Sequence, residues 1–446
     1  MANNLLRSIG LVSAIALVPA ATAAFATADV DTYRELDQFM SVFERVRAEY
    51  VEQVDDKTLL RGAIDGMLAS LDPHSNYLDE KGFQSLMTQT DGEYGGLGLN
   101  VTMEDGAVKV IAATEDTPAQ RAGIKAGDYI THIDGKLIYG GTLDEAVDQM
   151  RGSPGTAIKI TIVRPGRDKP FDVPITRAII SLPAVKWEIK ERVGILNVNS
   201  FNKTTTDATL AAMMAIEKSL GGPPLGYVLD LRSNPGGLLD QAIDLSDAFL
   251  QQGEIVSQRG RQKGDIKRYY AKPGDAARGL PVIVLVDAGS ASASEIVAGA
   301  LQDHHRGLVM GERTFGKGSV QTLLPLTQST ALRLTTARYY TPSGRSVQEG
   351  GIAPDIVVPQ LSDADYRKRP KFREADLRRH LINELKVDDS VVEDDGKPDP
   401  RFAATAEELK KKGVEDFQLQ YAVQTISRLG KVQTAAAAPA RKVGAR

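Results

Sequence analysis

Apolar side chains between Leu36 and Tyr50 recur every three or four residues. Leu36, Phe39, Met40, Phe43, Val46 and Tyr50 fall on one stripe, which predicts a helix packed on its own domain. Asp31 to about Met87 reads as helices, interrupted by a turn at Leu71-Asp-Pro-His-Ser-Asn-Tyr-Leu78. The pattern then shortens to a period of two. Asn100-Val-Thr-Met103 and Val108-Lys-Val-Ile111 alternate as half-buried strands do. From Ile179 to Pro359 the strands become short, nearly continuous apolar runs: Gly226-Tyr-Val-Leu-Asp-Leu231, Pro281-Val-Ile-Val-Leu-Val286 and Leu308-Val-Met310. Helix-like runs such as Ile296-Val-Ala-Gly-Ala-Leu301 separate them, which predicts α/β architecture. After Pro359 the charge density rises. Asp363 to Leu385 reads as a solvated helix, and Val391 to Pro400 as a linker. Phe417, Tyr421, Ile426 and Leu429 mark an amphipathic helix stopped by Gly430, and Lys431 to Arg446 reads as a disordered, basic tail.

A chain of 446 residues can hold two or three domains with cores of their own. A net charge of −4 names no partner, and no basic or aromatic stripe suggests nucleic acid. The chain has no cysteine and no H-E-x-x-H, so neither a thiolate nor a zinc centre is expected. The N-terminus is more informative. Arg7 precedes the apolar run Ile9 to Val18, and Pro19 with the small residues Ala20 to Ala28 offers cleavage sites such as Ala24-Phe-Ala26. Residues 1–28 read as a bacterial-type secretory signal. An uncleaved membrane anchor is the alternative.

The densest chemistry lies at Asp287-Ala-Gly-Ser-Ala-Ser-Ala-Ser-Glu-Ile296. A strand, a Gly/Ser turn and a helix start put a small polar side chain where free backbone N–H groups and the positive end of the helix dipole converge. Lys317, twenty-five residues after Ser292, lies between two glycines in Gly311-Glu-Arg-Thr-Phe-Gly-Lys-Gly-Ser-Val-Gln321. Ser292 and Glu295 also form an S-x-x-E capping box, so Ser292 reads equally as a helix cap. The plainer reading of Lys317 is a solvated loop lysine, which is protonated at neutral pH and cannot act as a base. Acting as a base would require burial to lower its basicity. The histidines are His74, His132, His304, His305 and His380. His304 lies twelve residues into the helix that Ser292 would start, roughly 18 Å away. The Asp303-His304-His305-Arg306-Gly307 cluster reads better as a helix C-terminus with Gly307 as its stop.

Together these blocks resemble the carboxy-terminal processing proteases, the tail-specific Ser–Lys peptidases. The likeness runs from about Asp31 to Pro359. Leu231-Arg-Ser-Asn-Pro-Gly-Gly237, Gly344-Arg345 and Gly351-Ile-Ala-Pro-Asp355 also match. The resemblance implies Ser292 as nucleophile, Lys317 as general base and Gln321 as the residue orienting that lysine. If Lys317 enters a strand, Gln321 shares its face by the period of two. Ala293 and the Gly236-Gly237 turn would supply the oxyanion amides, and Arg232 would order that loop. No cofactor is implied.

Gly95-Gly-Leu-Gly-Leu99, Ala122-Gly-Ile-Lys-Ala-Gly-Asp128 and Ile133-Asp-Gly135 resemble a PDZ domain. There Gly95, Gly96, Leu97, Gly98 and Leu99 would offer backbone amides to a peptide's terminal carboxylate. The plainer reading of that loop is a hairpin turn. The implied fold is a multidomain α/β chain: signal 1–28, helical N-terminal region 29–92, inserted PDZ domain 93–178, crotonase/ClpP-like α/β protease core 179–360, helical C-terminal region 361–430 and tail 431–446. The partners implied are proteins or peptides with free C-termini, an adaptor protein, and further copies of the chain in a homo-oligomer, with dimerisation through the Leu36–Tyr50 region. An inactive PDZ scaffold recruiting envelope proteins, or an acyl-CoA enzyme on the related core, are the rival readings.

Overall fold

The structure, a computed structural model, describes residues 23–385 and 400–436. The apolar run Ile9 to Val18, most of the linker and the last ten residues lie outside them. The chain divides into two units, Met1–Leu68 and Ala69–Arg446.

The first unit holds helix α1, Ala23–Glu49, and most of helix α2, Asp56–Ala69. The apolar stripe on α1 is not packed on its own domain. Leu36, Phe39, Met40 and Tyr50 are exposed, as are Leu60 and Met67 of α2. Between residues 31 and 68 only Leu68 is buried.

The second unit opens with a turn organised by Asp72. Its carboxylate accepts the His74 and Ser75 N–H groups at 2.8 and 2.9 Å and the Ser75 hydroxyl at 2.8 Å. Strand β1, Asn76–Leu78, and helix α3, Glu80–Asp91, follow. Asp79 caps α3 through the Gly82 N–H, and Gly92 ends it in the left-handed region that favours glycine.

The alternating segment folds as β2 (Glu93–Gly96), β3 (Leu99–Glu104), β4 (Ala107–Ala113), α4 (Pro118–Arg121), β5 (Tyr129–Ile133), β6 (Lys136–Leu137), α5 (Leu143–Met150), β7 (Ala157–Val163), β8 (Phe171–Thr176) and β9 (Ala178–Ser181). An antiparallel sheet runs β3-β4-β5-β7-β8, with β3 at its edge. Its inward residues, among them Val108, Val110, Ile130, Ile160 and Ile162, enclose a core with Ala146 and Met150 of α5. β2 pairs with β9 and closes the segment where it enters and leaves the rest of the unit.

The α/β segment comprises β10 (Val185–Lys190), β11 (Val193–Val198), α6 (Thr205–Leu220), β12 (Tyr227–Asp230), α7 (Leu239–Asp247), β13 (Glu254–Gly260), β14 (Ile266–Tyr270), β15 (Val282–Val286), α8 (Ala293–Asp303), β16 (Leu308–Gly311), β17 (Ser319–Pro325), β18 (Ala331–Tyr340) and β19 (Ile356–Val357). The central sheet is β10-β11-β12-β15-β16-β19, parallel from β11 onward. Both its faces are covered, which is why its strands read as continuous apolar runs. The period of two sorts them. Tyr227, Leu229, Val282, Val284 and Val286 face the core shared with α6, α7 and α8. Val228, Ile283 and Leu285 face the other way. That second face is covered from the C-terminus by α10 (Phe417–Ala436), which follows α9 (Ala406–Lys411). Leu419, Ala422, Val423 and Ile426 are buried there. A second sheet joins β17, β18, β13, β14 and β1.

Two C-terminal expectations are corrected. Asp363 to Leu385 is largely exposed, as expected, but it is not an α-helix. It contains only the 3-10 turns Tyr366–Lys368 and Glu374–Asp376. Two of its polar residues turn inward: Glu374 is fully buried against His74 and Gln348, and Asn383 donates to the Gln348 carbonyl. Pro370 would in any case interrupt a helix there. Gly430 does not stop α10, which continues to Ala436. A glycine inside a helix costs only about 1 kcal/mol relative to alanine.

Candidate active site

Strand β15 ends at Val286, and the turn after it is fixed by Asp287. Its carboxylate accepts the N–H groups of Ser233 and Gly289 at 2.8 and 2.9 Å. The chain then reverses sharply, so that Ser292 sits at the N-terminus of α8 with φ 55° and ψ −112°. Few residues other than glycine adopt positive φ, and such strain concentrates at functional turns. Ser292 is half-buried, whereas Ala293 is 1% exposed.

Glu295 answers the Ser292 N–H through Oε2 at 2.8 Å, the return bond expected of the capping box. Its reach extends further than a cap. Oε1 accepts the Thr314 hydroxyl at 2.5 Å and the Gly316 N–H at 2.7 Å, and Oε2 accepts the Lys317 N–H at 2.9 Å. The backbone amides of Ser292 and Lys317 thus meet at one oxygen. Burial pushes the Glu295 carboxyl up to about 7, against hydrogen bonds that favour the anion.

Lys317 lies just before β17 and is half-buried. Burial, with the Arg333 charge as the next cause, brings its amine down to about 8, although Glu374, Glu295 and Asp72 pull it back up. The solvated-loop reading does not fit this placement. Tyr339, fully buried on β18, donates its hydroxyl to the Lys317 carbonyl and also interacts with Ser292. Gly318 N–H donates to Gln348 Oε1 at 3.0 Å, and Gln348 Nε2 reaches Glu374, which His74 holds at 2.8 Å. His74 is therefore a hydrogen-bonder in the wall behind the lysine.

Gln321 does not follow from Lys317 by the period of two. β17 begins only at Ser319, and a register shift separates Val320 from Gln321. The Gln321 amide nitrogen donates to the Ser319 and Thr335 hydroxyls at 3.0 and 3.3 Å.

Gly236 and Gly237 differ in role. A side chain on Gly236 would come within 2.8 Å of Ser292 Cβ and 2.9 Å of the Ala293 nitrogen, so this turn lies against the nucleophile's helix start. The Gly236 N–H, however, donates to Asn234 Oδ1 at 2.9 Å. Gly237 packs on Phe201, where a Cβ would stand 2.1 Å from the carbonyl oxygen. Among the described residues, the Ala293 and Gly237 amides donate to no backbone carbonyl. Asn234, wholly buried, joins the two turns, since its carbonyl accepts the Ala291 N–H at 3.0 Å and the Ser294 hydroxyl at 2.9 Å. Arg232 orders the loop, bridging Asp230 at 2.6 Å and Asp416 at 2.7 Å.

His304 stands at the far end of α8, its Nε2 2.7 Å from the Glu254 carbonyl oxygen. The helix ends there, but the left-handed residue is His305, with φ 51°, rather than Gly307.

In the Gly95–Leu99 segment, Gly95 and Gly96 belong to the paired strand β2, and their lack of side chains is explained by packing. A Cβ would meet the Gly152 carbonyl oxygen at 2.1 Å or the Tyr94 ring at 2.7 Å. Gly98 has φ 77°, and a Cβ there would lie 2.3 Å from Thr117. The carbonyls of Leu97 and Gly98 accept the Ala119 and Thr114 N–H groups, each at 2.9 Å. Among the described residues the Leu97 and Gly98 amides donate to no backbone carbonyl. They adjoin the unpaired edge of β3.

Sequence reasoning missed three residues of the site. Glu295 was visible only as a cap, and Asn234 only as part of a turn. Tyr339 carries no local signal at all.

Family models match in three places. Peptidase family S41 covers residues 192–358, a PDZ domain 95–175, and the N-terminal domain of the activating protease CtpB 17–82. A carboxy-terminal-processing protease of Bartonella bacilliformis is 52% identical over 360 residues, 80% of this chain and 83% of that protein. The carboxy-terminal processing protease CtpB of Bacillus subtilis is 35% identical over 346 residues, 76% of this chain and 71% of its own length. Among solved structures, the photosystem II D1 C-terminal processing protease is 28% identical, with a TM-score of 0.42 over 72% of this chain and 92% of that one.

Proposed function

Because the chain belongs to the carboxy-terminal processing proteases of peptidase family S41, which are serine-type peptidases, we propose that it cleaves peptide bonds by a Ser292–Lys317 mechanism. Neutral Lys317 takes the Ser292 hydroxyl proton as Oγ attacks the scissile carbonyl. The oxyanion is held by the Ala293 N–H and the Gly236-Gly237 turn, with Gly237 as the donor amide. The ammonium returns its proton to the leaving amine, and water then releases the acyl group. Gln321 steadies the lysine through its carbonyl oxygen. The observation that supports this reading best is the meeting of the Ser292 and Lys317 amides on one buried carboxylate oxygen.

The wild-type pH profile tests it. A base at about 8 is neutral in about one molecule in ten at pH 7, whereas an ordinary lysine is neutral in fewer than about one in a thousand. The active form is deprotonated, so kcat/KM should rise with pH and level off above about 8. An acid limb near the ordinary histidine value would point to another base.

The PDZ domain would read free C-termini, with a peptide adding along the β3 edge and its carboxylate meeting the Leu97 and Gly98 amides. A peptide with an apolar C-terminus should bind more tightly than its C-terminal amide by about 1.5–3 kcal/mol, the worth of charge-assisted bonds. Calorimetry measures this directly, and equal affinities would remove the reading. Gly98→Asp is not a clean probe, because Thr117 and the positive φ forbid the side chain.

Export to the bacterial envelope, and processing of proteins there, is the companion reading of residues 1–28. The mature protein should begin between Thr22 and Asp29. Mass spectrometry that finds residues 1–20 retained would favour an anchor.

A further inference from the structure

We propose that Glu295 is a positioning residue for this dyad, a buried carboxylate that ties the Ser292 turn to the Lys317 loop so that both keep one register. The inference rests on the Ser–Lys reading above. Nucleophile and base lie on different elements, 25 residues apart in sequence. Glu295 is wholly buried and stands between them.

Its partners define what the side chain must be. Three are backbone N–H groups, those of Ser292, Gly316 and Lys317, which can only donate. The fourth is the Thr314 hydroxyl. Thr314 Oγ1 already accepts the Ile352 N–H at 2.7 Å, so its own proton is free to point at Glu295. Four donors on two oxygens require an acceptor at both ends. Glutamine would turn its NH2 group toward at least one backbone N–H. Aspartate, one methylene shorter, would not span both loops.

The strain at Ser292 gives the clamp its purpose. A serine at φ 55° stays there only when its surroundings over-determine it, and the bond from its own N–H to Glu295 restrains that torsion. The same oxygen fixes the start of the lysine loop. Tyr339 ties the Lys317 carbonyl and Ser292 together from β18, but it grips no part of the Thr314–Gly316 turn.

The test uses the full chain with Glu295→Gln and Glu295→Asp beside wild type and Ser292→Ala. Measured are kcat and KM on a quenched peptide, the rate at which a fluorophosphonate labels Ser292, near-ultraviolet circular dichroism, and the pH profile. Folded Glu295→Gln should lose about 100-fold in kcat, the scale of an ångström of misplacement. Its KM should change little, and labelling should slow in step. The charged groups that act on Lys317 are Arg333, Glu374, Asp72 and Glu295 itself. The Glu295 charge raises the lysine, so its loss should also move the acid limb to lower pH. A purely structural residue would not do this. Glu295→Asp keeps the charge, so it should lose kcat with the acid limb in place. Wild-type kcat and labelling in either folded variant would overturn the proposal. So would failure of both variants to fold, which would make Glu295 a determinant of folding instead. Activity in Ser292→Ala would sink the Ser–Lys reading itself, a separate result.

Discussion

Ser292→Ala and Lys317→Ala should each reduce peptide cleavage to background, on the order of 10^4-fold or more, while the protein still folds. Nucleophile and base act as one unit, so either loss removes the covalent route, and the double variant should be no worse than the single ones. Folding should survive for different reasons at the two positions. Alanine at 292 keeps the backbone N–H that bonds Glu295. Alanine at 317 keeps the N–H to the same carboxylate and the carbonyl to Tyr339, and deletes only a half-buried amine. Lys317→Arg should be equally inactive, because a guanidinium does not give up its proton. The discriminating assay is cleavage of an unfolded protein substrate by purified variants, with circular dichroism alongside. Substantial Ser292-independent cleavage would end the assignment. His304→Ala should stay active, since that ring is bound at the opposite end of α8.

Ending the chain at Gly413, before α10, should prevent folding of the core. The helix covers one face of the central sheet, where Leu419, Ala422, Val423 and Ile426 pack on Val193, Ile195, Val228, Ile283 and Leu285. Removing a buried leucine or isoleucine side chain costs about 2–5 kcal/mol, and the net stability of a domain is only about 5–15 kcal/mol. Losing several at once exceeds that margin. The fit is close, since a Cβ on Gly226 would stand 2.7 Å from Ile426 Cγ2. Ile426→Ala alone should lower stability by about 2–5 kcal/mol in a urea titration. Truncation also removes Asp416 from Arg232, and with it the anchor of the loop that carries Gly236 and Gly237. A truncated protein that stays soluble with an unchanged denaturation midpoint would contradict this account.

The parts legible in the sequence were those set by local chemistry. β12, β15 and β16 read as strands because burial on both faces leaves a continuous apolar signature. The start of α8 was readable because a Gly/Ser turn after such a strand has few other uses. What could not be read depended on partners far along the chain. Glu374 looks like a solvated helical residue until His74, 300 positions earlier, is brought against it. The reach of Glu295 to Thr314 and Lys317 has no local sign. The face shared by Lys317 and Gln321 was misjudged, because β17 begins only at Ser319 and its register shifts after Val320 without any change in hydrophobic pattern. Gly430 was misjudged because one unfavourable propensity was set against a whole helix.

The left-handed backbone at residue 292 puts durability and turnover in conflict. Glycine occupies φ near 55° with little strain, whereas serine stores energy there. A thermostability selection run without an activity filter should therefore drift toward glycine at that codon and yield hardier but inert proteins. The serine marks a place where the chain keeps a less comfortable conformation for the sake of what its hydroxyl can do.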